Sequence, residues 1–218
     1  MKRAYFLTGT DTGVGKTFVA AALLHRAAQR GLSSAGLKPV AAGVDATGRN
    51  EDVEALRAAS SVQLAAAVVN PYCFEAAIAP HLAAAEAGRA IAFAPILAAC
   101  QEARAAADFV IVEGVGGFRV PLGADGDSAD LAVALGLPVI LVVGMRLGCI
   151  NHAMLSFEAI AARRLTCAGW VANPIDPAMA RFAANLHTLC ELLPAPLLGV
   201  TPHTPDSRSA AAALELPV

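Results

Sequence analysis

A glycine-rich segment, TGTDTGVGKT at residues 8–17, carries the residue types of a phosphate-binding loop. The usual loop reads G-x-x-x-x-G-K-[ST]: its backbone N–H groups cradle phosphates, its lysine reaches the β and γ phosphates and its hydroxyl contacts Mg²⁺. Counting back from the GKT triplet, the first glycine should be residue 10, which is Thr10, whereas Gly9 stands one step earlier. Because Gly13 and Gly15 still let the backbone turn inward around an anion, we predict a phosphate loop of variant type.

The surroundings of the loop favour nucleotide binding over an ordinary glycine-rich turn. An apolar run, Tyr5–Leu7, precedes the loop, and an amphipathic helical pattern follows it and ends at Gly31. Lys16 would begin this helix, where a cation opposes the helix dipole, so a purely structural turn is the less favoured alternative. We therefore expect Lys16 to contact the phosphates of ATP and Thr17 to contact Mg²⁺.

Two further charged residues stand where apolar runs end. Glu113 ends FVIVE and is followed by Gly114 and Gly116. A carboxylate at that point is costly to bury without a cation, so Glu113 is a candidate Mg²⁺ ligand; the alternative is an exposed acid in a turn. Lys38 follows the apolar run Ala35–Leu37 and precedes Pro39, which stiffens the chain. We expect its ammonium to point into the crevice that also contains the phosphate loop and Glu113, although a solvated surface lysine remains an alternative.

Short apolar runs alternating with helical patterns predict the elements that position these side chains. Strands are predicted at Tyr5–Leu7, Ala35–Leu37, Phe109–Val112, Val139–Val143, Gly169–Ala172 and Leu197–Val200, and helices at 16–31, Ala92–Ala107, Asn151–Arg163 and Met179–Leu192. This alternation predicts an α/β fold at 1–218, a single domain with a mainly parallel sheet, helices on both faces and the three layers of a P-loop NTPase. Ligands bind such sheets at the carboxyl ends of the strands.

Composition excludes several classes of function. A net charge of −2 over 218 residues gives no field that would attract nucleic acid. The longest apolar stretch, 131–145, is interrupted by Pro138 and is too short to span a membrane, so it predicts the end of a buried helix followed by a strand. No secretory signal follows Met1, and the five cysteines form no C-x-x-C pair, so we expect a cytoplasmic protein whose cysteines are mostly core residues.

Seven segments together resemble the dethiobiotin synthetase family, the ATP-dependent carboligases of biotin biosynthesis. They are GTDTGVGKT, AGLKPVAAG, VNPYCFEAAIAPH, VEGVGGFRVPL, LPVILVVGMRLGCINHAML, AGWVANPIDP and PAPLLGVTP. The resemblance extends from Tyr5 to about Pro202, and it includes the displaced first glycine. It implies that CO₂ adds to an amine of 7,8-diaminononanoate to form a carbamate, that ATP phosphorylates the carbamate to a mixed anhydride, and that the neighbouring amine closes the ring to give dethiobiotin, ADP and phosphate.

The resemblance also implies roles for individual residues. Lys38, Lys16 and Thr12 would be catalytic. Thr17, Asp52 and Glu113 would hold Mg²⁺, which singles out Asp52 from Glu51 and Glu54 at the start of the same probable helix. Asn173 would read adenine, since its carboxamide offers a donor beside an acceptor. The implied nucleotide site comprises Gly13, Val14, Gly15, Lys16, Thr17, Asp52, Glu113, Gly114, Gly116, Asn173, Pro174, Pro202, His203 and Thr204.

On the substrate side, the resemblance implies a homodimer whose sites lie at the subunit interface. The segment GCINHAML would begin a helix whose first amides, at Cys149 and Ile150, bind the substrate carboxylate in the partner subunit's site, with Asn151 as the helix cap. A plain helix cap is the alternative. The implied substrate residues are Lys38, Ala42, Gly148, Cys149, Ile150 and Asn151. Ala42 stands where the family commonly has serine and Asn185 where it often has an aromatic residue.

Three other classes of protein share parts of this pattern. The ATP-driven switches of the partition and iron-protein type carry a signature lysine early in the loop, where this chain has Asp11. An ATP-dependent amidoligase acting on a larger acid usually carries a glutaminase domain, for which 218 residues leave no room. A non-catalytic nucleotide-binding module would have no need of Lys38, Asp52 and Glu113 in one crevice.

Overall fold

The computed structural model describes residues 2–217 and has a six-stranded parallel sheet at its centre. In chain order the elements are β1 (Arg3–Gly9), α1 (Lys16–Gln29), β2 (Ser34–Leu37), β3 (Val40–Ala42), α2 (Glu51–Ala59), α3 (Ala66–Val69), β4 (Tyr72–Phe74), α4 (Pro80–Glu86), α5 (Phe93–Ala106), β5 (Phe109–Glu113), β6 (Pro121–Gly123), β7 (Gly126–Asp127), α6 (Ser128–Leu135), β8 (Val139–Met145), α7 (Cys149–Ala162), β9 (Cys167–Pro174), α8 (Phe182–Leu192), β10 (Leu197–Val200) and α9 (Ser207–Ala210).

The strand order places the loop after β1 at a topological switch point. There the chain stops adding strands on one side of β1 and begins adding them on the other side. The order is β10-β9-β8-β1-β5-β2, and every neighbouring pair is parallel. The chain first builds the half containing β2 and β5, and then crosses β1 to build the half containing β8, β9 and β10. Leu7 lies beside Glu113 in the β1–β5 register, so the two strands end together. A crevice for a ligand forms where the order of strands reverses in this way.

Alternation along the strands creates a core on each face of the sheet. Ile111 and Ile140 pack with Val19 and Leu23 of α1 on one face. Their neighbours in sequence point to the opposite face, into a larger cluster that contains residues of α5, α6 and α7. Because both faces are covered, the strands are buried along nearly their whole length, which explains their continuous hydrophobicity. The predicted three-layer α/β arrangement is confirmed.

The predicted elements agree with those observed, but the smaller ones were not anticipated. All six predicted strands lie within the strands of the central sheet, and the stretch 131–145 forms the end of α6 and then β8. Two short ribbons, β3–β4 and β6–β7, lie outside the central sheet. Among residues 2–217, no helix has the length and apolar character needed to cross a bilayer.

The cysteines are less buried than expected. Cys100 and Cys149 are buried, Cys73 and Cys167 are half-buried and Cys190 is exposed. The prediction that most would be core residues is wrong, because two of the five are fully buried. Cys73 and Cys167 pack against the core clusters but are only partly buried, and Cys190 lies on α8, a helix that buries only Leu189.

The chain after β10 folds back against α1. Ala210, Ala211 and Leu214 are completely buried there, and Leu214 forms a bridge with Gly199. At the end of this segment, the carbonyl of Pro217 accepts hydrogen bonds from side chains of β1. The segment 206–217 therefore covers the outer side of the helix that follows the phosphate loop.

Candidate active site

The loop between β1 and α1 adopts the conformation that its glycines allow. Gly13 and Gly15 have φ of 73° and 84°, in the left-handed region that favours glycine. Gly15 is the residue before the first turn of α1, and a Cβ there would lie 2.1 Å from the Nδ2 of Asn173. Glycine is required at this position for both reasons, conformation and space. The helix begins at Lys16, so its first backbone amides face the loop.

Two buried lysines and two carboxylates meet behind this loop. The Nζ of Lys38 lies 2.5 Å from Oε1 of Glu113 and 2.8 Å from Oδ2 of Asp52. The hydroxyl of Thr17 is 2.7 Å from Oδ1 of Asp52 and 2.8 Å from Oε1 of Glu113. Lys16, Lys38 and Glu113 are each less than 10% exposed, at 7%, 3% and 1%. The alternatives of a surface lysine at 38 and an exposed acid at 113 are therefore wrong.

Lysine is used sparingly in this chain, which makes its placement informative. The sequence contains three lysines, at positions 2, 16 and 38. Lys2 is exposed, whereas the other two are buried in this cluster. Lysine is almost never fully buried unless it is paired or binds an anion. Lys38 is paired with Glu113 and Asp52, so it is Lys16, which forms no ion pair within residues 2–217, that indicates a binding site for negative charge.

Burial and mutual charge shift the pKa values in the cluster. Burial, reinforced by the positive charge of Lys38, lowers the pKa of Lys16 to about 8. Burial alone would also lower the pKa of Lys38, but the carboxylates of Glu113 and Asp52 outweigh it and raise that pKa. For Asp52, burial is the largest single effect and would raise the pKa, but the charge and hydrogen bond of Lys38, the hydrogen bond from Thr17 and the charge of Lys16 together lower it. Complete burial raises the pKa of Glu113. Lys38 is thus a fixed positive charge held between two acids.

The cluster has the donor set that Mg²⁺ prefers. Asp52 and Glu113 offer carboxylate oxygens and Thr17 a hydroxyl, and Oε2 of Glu113 is buried without a hydrogen-bond partner. A buried carboxylate oxygen without a partner is costly unless a cation meets it. Residues 2–217 contain no group of three or more His, Cys, Asp or Glu side chains arranged for a metal. These residues therefore fit a Mg²⁺ ion that takes its remaining ligands from water and phosphate, and they do not form an all-protein metal cage.

The cluster opens into a cleft of about 880 Å³. The phosphate loop, Asp11–Thr17, lines this cleft, and so does an apolar wall formed by Ala77–Pro80, which leads from β4 into α4. Val115, Gly116 and Val120 complete the wall, and Ala42 also contacts the cleft. Sequence reasoning gave no role to Ala77–Pro80, because small apolar residues carry no chemical signature of their own.

Comparisons with known proteins match this chain over nearly its full length. A family model described as an AAA domain matches residues 3–211. The ATP-dependent dethiobiotin synthetase BioD of Aromatoleum aromaticum is 60% identical, over 99% of this chain and 98% of that protein. The proteins of the same name from Pseudomonas paraeruginosa and Ralstonia nicotianae are 55% and 53% identical, over 98% and 97% of this chain and 95% and 94% of theirs.

The chain belongs to the dethiobiotin synthetase family.

Solved structures with this fold include more distant proteins. MinD from Aquifex aeolicus aligns with a TM-score of 0.58 at 18% identity, over 97% of this chain and 92% of that one. A ParA family ATPase from Chlorobium tepidum aligns with a TM-score of 0.58 at 13% identity, over 97% and 90%. At these identities the likeness concerns the fold alone, and it agrees with the predicted P-loop NTPase architecture.

Asn173, the expected adenine reader of the family, holds the back of the phosphate loop. Its Nδ2 donates to the carbonyl of Val14 at 2.8 Å, and its Oδ1 accepts a hydrogen bond from the hydroxyl of Thr201. The side chain is nearly buried, at 8% exposed. A carboxamide has two donor hydrogens and two acceptor lone pairs, so one of each remains for a base. The role in reading adenine stays a prediction.

The other expected nucleotide residues lie at the ends of neighbouring strands. Pro174 ends β9, and the loop Pro202–Thr204 follows β10. Pro202 and His203 are exposed, and none of these four residues lines the cleft described above. Gly114 lies beneath the loop, where its amide donates to the carbonyl of Leu7 at 2.9 Å. Their contacts with a nucleotide remain predictions.

The start of α7 differs from expectation in one respect. Gly148, with φ of 93°, is the residue before the first turn, and the helix begins at Cys149. Asn151 is the third residue of the helix, so the prediction that it caps the helix is wrong: the left-handed turn at Gly148 starts the helix earlier and has no side chain to cap it. The amide of Cys149 donates to the carbonyl of Arg146 at 3.0 Å, which leaves the amides of Ile150 and Asn151 at the helix start. None of these residues lines the cleft of this chain.

Proposed function

We propose that this chain is an ATP-dependent dethiobiotin synthetase that converts 7,8-diaminononanoate and CO₂ into dethiobiotin. The proposal depends on one observation: the phosphate loop, two buried lysines and a two-carboxylate cluster line a single cleft in a chain of that family. An amine adds to CO₂ and loses a proton to give a carbamate, whose oxygen takes the γ-phosphoryl group as ADP leaves. The second amine then attacks the carbamate carbon, closes the ring and releases phosphate.

Positioning and electrostatics are sufficient for this chemistry, because each nucleophile belongs to the substrate. Lys16 lies where the first turn of α1 faces the phosphates, and Lys38 stays protonated because two acids raise its pKa. Both cations would offset the negative charge that spreads over the transferring phosphoryl group. Thr12 is exposed at the rim of the same cleft, in reach of a carbamate seated there.

Thr17, Asp52 and Glu113 would hold Mg²⁺. When bound, the ion supplies charge neutralisation for the β and γ phosphates. Lys38 shares both carboxylates, so the protein's own ammonium already balances part of their charge. The cluster therefore keeps its shape without an ion and needs little rearrangement to accept one.

The apolar wall at Ala77–Pro80 suits the hydrocarbon chain of the diamine. These side chains and Val120 line the same cleft as the phosphate loop, so an alkyl chain there would leave water while its amines stay near Lys38. Since Ala42 carries no hydroxyl, only backbone at that position could hydrogen-bond the substrate.

We also propose that the protein is a homodimer in which α7 of one subunit serves the cleft of the other. The free amides at the start of α7 lie outside the cleft of their own chain. Next to them Leu147 is 92% exposed, and Leu155 on the same helix is 57% exposed. Large apolar side chains exposed together are typical of an interaction surface, and a second copy would bring a carboxylate-binding helix end to the cleft.

The test is product formation from 7,8-diaminononanoate, bicarbonate and MgATP, followed by mass spectrometry. We expect dethiobiotin in the same molar amount as ADP and phosphate, and no release of phosphate without the diamine. Lys16→Gln should abolish turnover, whereas Lys2→Gln, which removes the one exposed lysine, should not change it. Release of phosphate that ignores the diamine would contradict the proposal and favour an ATP-driven switch.

A further inference from the structure

Asp11 is an acid inside a predicted anion-binding loop, and each of its three oxygen atoms makes a polar contact. One side-chain oxygen accepts a hydrogen bond from the amide of Thr12 at 2.7 Å. The other is 2.7 Å from the Nη2 of Arg146. Its main-chain carbonyl accepts a hydrogen bond from the Nζ of Lys16 at 3.0 Å. Asp11 thus joins Thr12 and Lys16, two residues that would act on the transferring phosphoryl group, to one arginine from another strand.

Arg146 reaches the loop from the end of β8. The two residues are 135 positions apart in the chain, and β8 runs beside β1 with Gly9 opposite Val142. The backbone adds two contacts nearby, from the amide of Thr10 to Val142 at 2.9 Å and from the amide of Gly144 to the Thr10 hydroxyl at 3.3 Å. The front of the loop is thereby fixed to β8, as Asn173 of β9 fixes its back.

Charge explains why an arginine is needed there. An unpaired carboxylate in the loop would repel the phosphates of a nucleotide, and a guanidinium bound to one of its oxygens removes that repulsion. The side chains are 42% and 48% exposed, and ion pairs with such exposure contribute little to folding stability. The Asp11–Arg146 pair is therefore expected to act on the conformation and the charge of the phosphate loop and not on folding stability.

We propose that Arg146 is a positioning residue for phosphoryl transfer, which acts through Asp11 to hold Thr12 and Lys16 at the front of the phosphate loop. The proposal rests on the proposed function for the reaction it serves. Arg146 contacts the loop acid and is not among the residues that line the cleft. Its loss should therefore slow the chemical step without unfolding the protein.

The kinetic test is a mutant cycle with four proteins: wild type, Arg146→Gln, Asp11→Ala and the double variant. We expect Arg146→Gln to lower kcat for dethiobiotin formation by about tenfold or more, since small misplacement of catalytic groups is costly, with KM for the diamine changed by less than about twofold. In the Asp11→Ala background the same substitution should change kcat by less than about twofold, because the two residues act as one unit. Arg146→Lys should restore part of the rate.

A matched control and a second measurement keep the outcomes separate. Arg57→Gln removes another part-exposed ion pair, Arg57–Glu54, in which the arginine is 37% exposed, and it should not alter kcat. Amide hydrogen exchange at residues 10–15 should become faster in Arg146→Gln than in wild type or Arg57→Gln, with the same melting temperature in all three.

Each outcome decides one question. An equal loss of kcat in the presence and absence of the Asp11 side chain would overturn the proposal, and so would unchanged exchange in the loop. A further outcome is that the wild type forms no dethiobiotin while amide hydrogen exchange at residues 10–15 is still faster in Arg146→Gln. In that case Arg146 does position the phosphate loop, and the proposed function fails.

Discussion

The chemical centre of this protein is a cluster in which burial and charge oppose each other. Lys38 and Glu113 are almost fully enclosed, and removing two charges from water costs several kcal/mol for each ion unless they pair well. Here they pair at 2.5 Å, and Asp52 and Thr17 add further contacts. Such arrangements contribute little net stability. A buried ion-pair cluster that lines a cleft therefore indicates a functional site.

Glu113→Gln should raise the concentration of Mg²⁺ required for activity. The substitution keeps the size of the side chain but removes one of two carboxylates and the unpartnered oxygen Oε2. Because even the outer partners of metal ligands affect affinity by 10–100-fold, we expect half-maximal activity at a Mg²⁺ concentration at least about tenfold higher. A Mg²⁺ titration at saturating ATP measures this. The control is Glu102→Gln, an exposed acid on α5, and an unchanged titration for Glu113→Gln would remove the residue from the metal site.

Asn151→Asp should weaken binding of the diamine without harming the fold. Asn151 is exposed in the first turn of α7, where an acid favours the helix dipole. The new carboxylate would repel the substrate carboxylate, and we expect KM for the diamine to rise by about tenfold, which corresponds to roughly 1.4 kcal/mol. Steady-state kinetics and a melting curve test both statements. A KM equal to that of wild type would place the substrate carboxylate elsewhere.

At the scale of elements, helix α1 joins the candidate active site to the hydrophobic core. Its first residue is Lys16, one face packs on the sheet, and the outer side is covered by the segment 206–217. Gly199 allows this covering segment to approach, because a Cβ there would lie 2.2 Å from the carbonyl oxygen of Ala213. Sequence analysis assigned no role to this segment, because the family resemblance ends at about Pro202.

Leu214→Ala should destabilise the protein through this contact. Leu214 is completely buried between β10 and α1, and leucine-to-alanine substitutions in cores cost about 2–4 kcal/mol. That loss corresponds to a melting temperature lower by roughly 4–16 °C in a chain of this size. The control, Glu215→Gln, removes two exposed ion pairs with Arg26 and Arg30 and should cost less than about 1 kcal/mol. Equal effects of the two variants would show that the segment is held by charge and not by packing.

For the whole molecule, the start of α7 lies apart from the cleft of its own chain. The proposed role of α7 in substrate binding therefore requires a second copy of the chain. Ile150 and Asn151 do not line the cleft of their own chain, although the start of α7 and the cleft both lie at the carboxyl edge of one sheet. A closed two-fold dimer could bring each helix end to the other subunit's cleft.

Mixed dimers test this arrangement directly. Lys16→Gln and Asn151→Asp subunits are refolded together and assayed at a low diamine concentration, where each variant alone has little activity. If sites are shared, a mixed dimer has one site with both substitutions and one with neither, and the mixture should reach about one quarter of wild-type activity. If each site belongs to one chain, mixing should restore nothing. Analytical ultracentrifugation of the wild type checks the dimer itself.

The sequence by itself determined the phosphate loop, the six strands of the sheet and the buried partners Lys38 and Glu113. These signals are local: glycine where the backbone must turn, and a charge at the end of a continuous apolar run. Local pattern left Glu51, Asp52 and Glu54 equivalent, and only the family resemblance singled out Asp52. The tertiary structure shows the contact itself, with Asp52 lying 2.8 Å from the Nζ of Lys38. It also decided the apolar wall at Ala77–Pro80 and the contact between Asp11 and Arg146, which joins residues 135 positions apart. Such contacts depend on the order of strands in the sheet, and no local pattern encodes that order.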